Sequence, residues 1–317
     1  MIYYATRRDY DPETKWFTKT FAPKTRYGRF WRVGNNQFAG AALSLADWLR
    51  EIRQASGGNG VLTYVHGFNT PMINSVNATD KLARGLRGAG FGGAVVGYHW
   101  PSLGRPVLAT WGDVKSEFAY FEDRKMATRA ATPLIEDCLW PLLREAGTGP
   151  THLIAHSMGA YLVSQAFQRK AGDGAGWAAA GDLAEIVFKA ADVYRNWWSA
   201  GNPGIAPISA RCHRITNHYS IKDEVLDISW KVFNDFRKRA GQHGAKSDAG
   251  GKLFDVDGAP FYQNRYPPPK HTPRKSHNWH FEQKPFLRDL AKTLSGVPAK
   301  DMPTRVAGPG GDQTLKV

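Results

Sequence analysis

At 317 residues and 42% hydrophobic content, the chain can build the core of one large α/β domain or of two small ones. A formal charge of +14 and a pI near 9.8 raise nucleic acid or an anionic surface as partners, yet no nucleic-acid module accompanies that charge. It therefore reads as solvated surface, with a basic rim that attracts acidic substrates as the sharper alternative. No apolar run approaches the roughly 18 residues of a membrane span, so no transmembrane segment is expected.

The opening residues, Met1 to Arg8, lack the basic-then-apolar order of a secretory signal. Cys138 and Cys212 fall in segments that read as a helix and a strand. Free buried thiols are expected, and with them a reducing, cytoplasmic location.

In chain order, residues 1–35 suggest short aromatic-rich strands around a turn at Lys24-Thr25-Arg26-Tyr27-Gly28-Arg29, forming an antiparallel edge. Ala41 to Arg53 has helical amphipathicity, and the glycine-rich loop from Ser56 to Gly60 leads into a buried strand, Val61 to Val65. Asn74 to Leu86 reads as a helix, Gly93 to Trp100 as a strand, and Lys115 to Glu145 as a long helix interrupted at Pro133. Further strands are expected before Ser157, from Glu185 to Ala190 and from Arg211 to Tyr219, and a last helix from Phe286 to Leu294. Alternating strands and helices predict a mostly parallel central sheet with helices on both faces. Ile228 to Arg239 has a basic amphipathic pattern, and residues 231–275 form an insertion, a candidate lid rich in Lys and Arg. The Pro- and Gly-containing tail, 296–317, is expected to be disordered, which leaves 1–295 as the folded domain.

Two segments carry chemistry. Thr151-His152-Leu153-Ile154-Ala155-His156-Ser157-Met158-Gly159-Ala160 is an apolar run that meets a serine flanked by small residues and continues into a helix-compatible sequence. This is the layout of a nucleophile elbow, with Ala155 where the first glycine of G-x-S-x-G stands. The turn is so sharp that residues two positions either side of the serine must be small. The N–H of Met158, at the start of the helix, points where negative charge would develop. The second segment is Val61-Leu62-Thr63-Tyr64-Val65-His66-Gly67-Phe68-Asn69, a strand ending in glycine, where backbone can approach a ligand closely. The N–H of Phe68 is the natural second oxyanion donor, since that donor comes from the loop after an earlier strand.

With Val65-His66-Gly67-Phe68-Asn69, then Tyr98-His99-Trp100-Pro101-Ser102, then His152-Leu153-Ile154-Ala155-His156-Ser157-Met158-Gly159, the chain resembles the α/β-hydrolase superfamily. More narrowly, it is similar to a bacterial α/β-hydrolase family of unassigned function. The resemblance spans about residues 1 to 295 and is strongest from 60 to 165. It implies an α/β-hydrolase fold and triad order Ser, acid, His. Asp223, one turn past the Arg211–Tyr219 strand, is the candidate acid; Glu224, Asp227 and Asp192 are rivals, and a helix N-cap is its other role. His277, ahead of the last helix and followed by Asn278 and Trp279, is the candidate base, with His280 as rival.

The expected chemistry is acyl transfer to Ser157 on a small ester-type substrate, with Phe68 and Met158 as oxyanion donors. Amidase and acyltransferase activities use the same constellation. A noncatalytic scaffold binding a ligand or protein partner is the alternative. Neither an H-E-x-x-H motif nor paired cysteines suggest a metal, and no cofactor is expected. Trp100, Trp111 and Trp197-Trp198 are candidate pocket residues. Oligomeric state has no sequence signature here.

Overall fold

The computed structural model describes residues 1–103, 114–199, 202, 204–308 and 312–316. Its strands, in chain order, are β1 (Ile2–Asp11), β2 (Trp16–Gly34), β3 (Gln37–Leu43), β4 (Val61–Val65), β5 (Ala94–His99), β6 (Thr151–His156), β7 (Leu183–Lys189), β8 (Cys212–Tyr219), β9 (Leu253–Asp257), β10 (Arg305–Ala307) and β11 (Gln313–Leu315). The α-helices are α1 (Leu45–Ser56), α2 (Met72–Gly88), α3 (Val114–Pro133), α4 (Trp140–Arg144), α5 (Met158–Lys170), α6 (Gly174–Ala180), α7 (Ala206–Ser209), α8 (Glu224–Ile228), α9 (Ala240–His243), α10 (Ala259–Arg265), α11 (Pro273–Asn278) and α12 (Lys284–Leu294).

All these strands join one sheet in the order β10-β11-β9-β8-β7-β6-β4-β5-β1-β2-β3. From β11 to β1 every neighbouring pair is parallel. Antiparallel strands close both edges, β2 and β3 at one and β10 at the other. β4, β5 and β6 are buried at every position, as parallel strands covered on both faces must be. Successive side chains divide between two cores because a strand alternates faces. Val61, Leu153 and Ile186 pack with α1, α3 and α5 residues such as Trp48, Ala127 and Leu162. Leu62, Ile154 and Val187 pack with α2 and α12 residues such as Val76 and Leu290. The protein thus has the α/β-hydrolase architecture, a mostly parallel sheet with helices on both faces.

Five local expectations are corrected. The Lys24–Arg29 stretch is not a turn but the interior of the single strand β2; the chain reverses at residues 12–15 instead. Ala41 to Leu43 belong to β3, and the following helix starts only after Ser44, whose Oγ accepts from Asp47 N at 3.1 Å. That capping serine marks a boundary which amphipathicity alone ran through. Ile228–Arg239 is not one helix: α8 ends at Ile228, a π-turn covers Ser229–Phe233, and left-handed Asp235 (φ 48°) and Phe236 (φ 57°) redirect the chain.

Residues 231–275 are not simply a lid. They supply β9, which pairs with β8 from Ile215 opposite Leu253 to Tyr219 opposite Asp257. They also thread Gly241 against Ala190 and Ala191 so closely that an added Cβ would overlap the backbone nitrogen of Ala191. Nor is the tail disordered over its described residues. Arg305 donates from Nε and Nη2 to the two carboxylate oxygens of Asp289, both at 2.8 Å, with both side chains buried. Leu315 is buried and β11 pairs with β9. A buried ion pair and a sheet edge overcome the Pro/Gly composition.

Candidate active site

β6 delivers the chain to Ser157, where φ is 55° and ψ −124°, and α5 starts at the next residue. A non-glycine residue at positive φ costs on the order of 1–3 kcal/mol and persists only where its surroundings over-determine it. Here Ser157 N donates to Lys189 O at 3.2 Å, while Ser157 O accepts from Ala160 N at 2.9 Å and Asp192 N at 3.1 Å. A Cβ at Gly159 would lie 2.6 Å from the carbonyl oxygens of Val65 and His66, so only glycine lets α5 approach β4 this closely. Ala155, fully buried, fits where the motif ordinarily has its first glycine. Met158 N, at the first position of α5, has no acceptor within the helix.

Opposite the serine lies the turn after β4. A Cβ on Gly67 would come 2.9 Å from Ser157 Cβ, which sets how near this backbone runs to the hydroxyl. Phe68 follows, its ring centroid 5.7 Å from that of Tyr120. The next residues are held by polar groups from distant elements. Asn69, at φ 51°, donates its N–H to Asp123 Oδ2 at 2.8 Å. Thr70 N donates to Ser102 Oγ at 2.9 Å, and Ser102 Oγ donates to Asp123 Oδ2 at 2.5 Å. Leu103 N donates to Asp123 Oδ1 at 2.7 Å. Arg8 Nη2 donates to Thr70 O at 2.8 Å and to Ser102 O at 3.1 Å.

Both charged members of this brace are buried. Desolvation pushes the Arg8 guanidinium down to about 10. It also raises the Asp123 carboxyl, against the pull of Ser102, Asn69 and Leu103 hydrogen bonds and of Arg8. Trp100 Nε1 donates to His66 O at 2.9 Å, and its ring stacks on His66 at 5.0 Å. Burial lowers His66 to about 3, so it is a neutral packing histidine. Arg8 and Asp123 carried no sequence signal, because one lies in a strand of the sheet and the other in a long helix, with no motif around either.

On the other flank, Asp223 Oδ2 and His277 Nδ1 are 2.7 Å apart, 54 positions distant in sequence. Asp223 is 1% and His277 5% exposed, so the pair is shielded from water and salt. Asp223 Oδ1 also accepts from Leu226 N at 3.0 Å, so the carboxylate caps α8 and holds the imidazole at once. With Nδ1 engaged, Nε2 is left as the atom that can exchange a proton. The His277 ring lies 4.7 Å from that of His156, the residue preceding Ser157, which brings the Asp223–His277 pair to the elbow.

The rivals are occupied elsewhere. His280 stacks on Trp279 at 4.1 Å, its Nδ1 has no hydrogen-bond partner among the described residues, and burial holds it well below the usual histidine range. Glu224 pairs with His271 at 2.6 Å, Asp227 with Lys231 at 2.6 Å, and Asp192 with Arg239 at 3.0 Å. Trp100 and Trp198 are core; Trp197 lines a cavity, and Trp111 lies outside the described residues.

Sequence reasoning also missed Lys189. It ends β7 beneath the elbow, 2% exposed, with Nζ 4.4 Å from the Phe281 ring centroid. Burial lowers its ammonium to about 7, against the pull of Asp223 and Glu282. A lysine closing the apolar run Ile186–Phe188 was the available signal.

Residues 41–250 match the family described as alpha/beta hydrolase of unknown function (DUF900). The chain belongs to this family. The match takes in Ser157 and Asp223 and stops short of His277. Membership makes the protein a hydrolase at the level of the family and says nothing of nucleophile or substrate. A solved structure described as a predicted CIB-like hydrolase from Thermoplasma acidophilum is similar at 14% identity, covering 86% of this chain and 99% of that one, with a TM-score of 0.36. No match was found among functionally curated proteins. Among the described residues no helix is long and apolar enough to cross a membrane, and no group of three or more His, Cys, Asp or Glu could hold a metal ion.

Proposed function

We propose that this DUF900 α/β-hydrolase is a serine hydrolase that cleaves small carboxylic esters through an acyl-enzyme. The observation that carries the reading is the 2.7 Å Asp223–His277 contact, delivered beside a serine held at φ 55°. In the first half-reaction His277 Nε2 takes the Ser157 hydroxyl proton as Oγ attacks the ester carbonyl carbon. Asp223 holds Nδ1–H and stabilises the imidazolium that forms. The N–H groups of Met158 and Phe68 receive the negative charge on the carbonyl oxygen. Each such donor contributes on the order of 10²–10³ in rate. Collapse expels the alcohol, which takes the proton from His277. Water, deprotonated by the same histidine, then releases the acid and restores Ser157.

The test is labelling with a fluorophosphonate probe, followed by peptide mapping. A single adduct on Ser157, absent from Ser157→Ala, together with turnover of 4-nitrophenyl acetate, is the expected result. An unlabelled, folded wild-type protein would favour a noncatalytic scaffold and end this reading.

A further inference from the structure

A cavity of about 150 Å³ opens beside the elbow, a volume comparable to one that houses benzene. Its walls tie it to the reacting groups. Asp192 N is hydrogen-bonded to Ser157 O, Tyr161 stands one turn along α5 from Ser157, and Tyr120 meets Phe68. Phe233 and Trp197 add aromatic surface. The beginning of the 231–275 stretch, expected to cover the catalytic face, therefore lines this cavity with Phe233, Asn234 and Arg237.

The charges of the cavity do not cancel. Arg124, Arg237 and Arg239 face Asp192 and Asp235. Arg239 and Asp192 neutralise each other at 3.0 Å, and both are buried. The Asp192 oxygens are also taken up by the Tyr120 hydroxyl at 2.9 Å and the Ser229 hydroxyl at 2.8 Å. Arg124 is half-buried. Its guanidinium carbon lies 4.7 Å from the Tyr161 ring centroid, and Nη1 donates to Asn234 Oδ1 at 3.3 Å. No ion pair of the described residues includes Arg124. A guanidinium fixed by an aromatic ring and an amide, which feels the charge of Asp192 but has no ion-paired carboxylate among the described residues, is a preorganised fork for a planar anion.

We propose that this cavity is an acyl-group subsite for short chains ending in a carboxylate, with Arg124 as the specificity-determining residue and Arg237 as an outer cation. The proposal rests on the serine-hydrolase reading for its link to turnover. Aromatic walls accept the methylene chain, and Arg124 takes the terminal carboxylate in place of the water it displaces. A five-carbon dicarboxylate half-ester suits a cavity of benzene size.

The experiment compares mono-4-nitrophenyl glutarate with 4-nitrophenyl pentanoate, which have similar shape but differ in charge. The glutarate ester is expected to show kcat/KM at least about tenfold higher at low salt, a gap that narrows as ionic strength rises. Arg124→Gln should bring that ratio down to about one, since a charge-assisted contact is worth roughly one to two factors of ten. Arg237→Gln, at an exposed position, should lower it by a few-fold and serves if Arg124→Gln does not fold. Calorimetric titration with free glutarate reads the subsite without catalysis, and Arg124→Gln should weaken its binding by the same factor. A wild-type preference for the neutral ester, or a ratio unmoved by both substitutions, overturns the proposal. If the protein cleaves neither ester and Ser157 stays unlabelled, the functional reading fails. Arg124-dependent glutarate binding would still support the subsite, and its absence would remove it.

Discussion

On one side of Ser157 the Gly67–Thr70 backbone is pinned by Arg8, Ser102 and Asp123, groups drawn from three separate parts of the chain. On the other, His277 hangs from one carboxylate and a six-residue helix capped by Thr272, next to a half-exposed Glu224–His271 pair. In the proposed mechanism the first flank holds one of the two oxyanion donors, the Phe68 N–H, in a fixed position while charge develops, which demands a stiff, dry support. In the same proposal the second carries an imidazole that exchanges protons with serine, leaving group and water, and needs orientation more than rigidity. The number of buried polar contacts given to each flank matches the chemistry proposed for it.

The sharpest break in that comparison removes the groups proposed to react. Ser157→Ala and His277→Ala should each lower kcat on 4-nitrophenyl acetate by about 10⁶ without loss of circular dichroism signal, whereas His280→Ala should keep most of the activity. The opposite pattern for the two histidines would move the base to His280. Next comes the close approach at Gly67: a Cβ 2.9 Å from Ser157 Cβ and 3.1 Å from His156 O must push the loop away. Gly67→Ala should therefore cost on the order of 10²–10³ in kcat, the value of a misplaced oxyanion donor. An unaffected kcat would dismiss the Phe68 N–H from that role.

The two flanks can also be weighed at their supports. Asp123→Asn keeps shape but alters three hydrogen bonds in the buried brace. It should lower kcat by about 10- to 100-fold, as misplacement by an ångström does, and reduce Tm by several degrees. Glu224→Gln, on the more exposed flank, should change kcat less than about threefold, because half-exposed polar pairs contribute little. Equal effects would erase the proposed asymmetry.

Lys189 supplies the smallest change and the only one read through pH. The native state holds its ammonium near 7, below the ordinary 10.5, so between those values the unfolded chain binds the extra proton. Stability carried by this residue therefore rises with pH across that window, and its cost is complete below about pH 7. Lys189→Met should raise Tm by several degrees at pH 6.5, with the gain shrinking toward pH 10.5. A gain independent of pH would mean that packing rather than charge is responsible.

Short-range constraints made much of this protein legible before folding. The elbow is a local object: a strand, one strained residue and a helix start cannot coexist without small neighbours, so Ala155, Ser157 and Gly159 announce it in five positions. Gly67 is equally local. The succession of buried strands and amphipathic helices likewise implied the parallel sheet, because each element's burial pattern is set by its own period. Tertiary contacts alone decided the rest. Nothing near Asp123 or Arg8 marks either as a brace, since the partners they hold there lie 20 to 94 positions away. Leu253–Asp257 becomes a strand because β8 offers an open edge, and the tail is ordered because Arg305 finds Asp289. Where a segment's state depends on a distant partner's edge or charge, composition and periodicity describe the chain and the fold chooses its conformation.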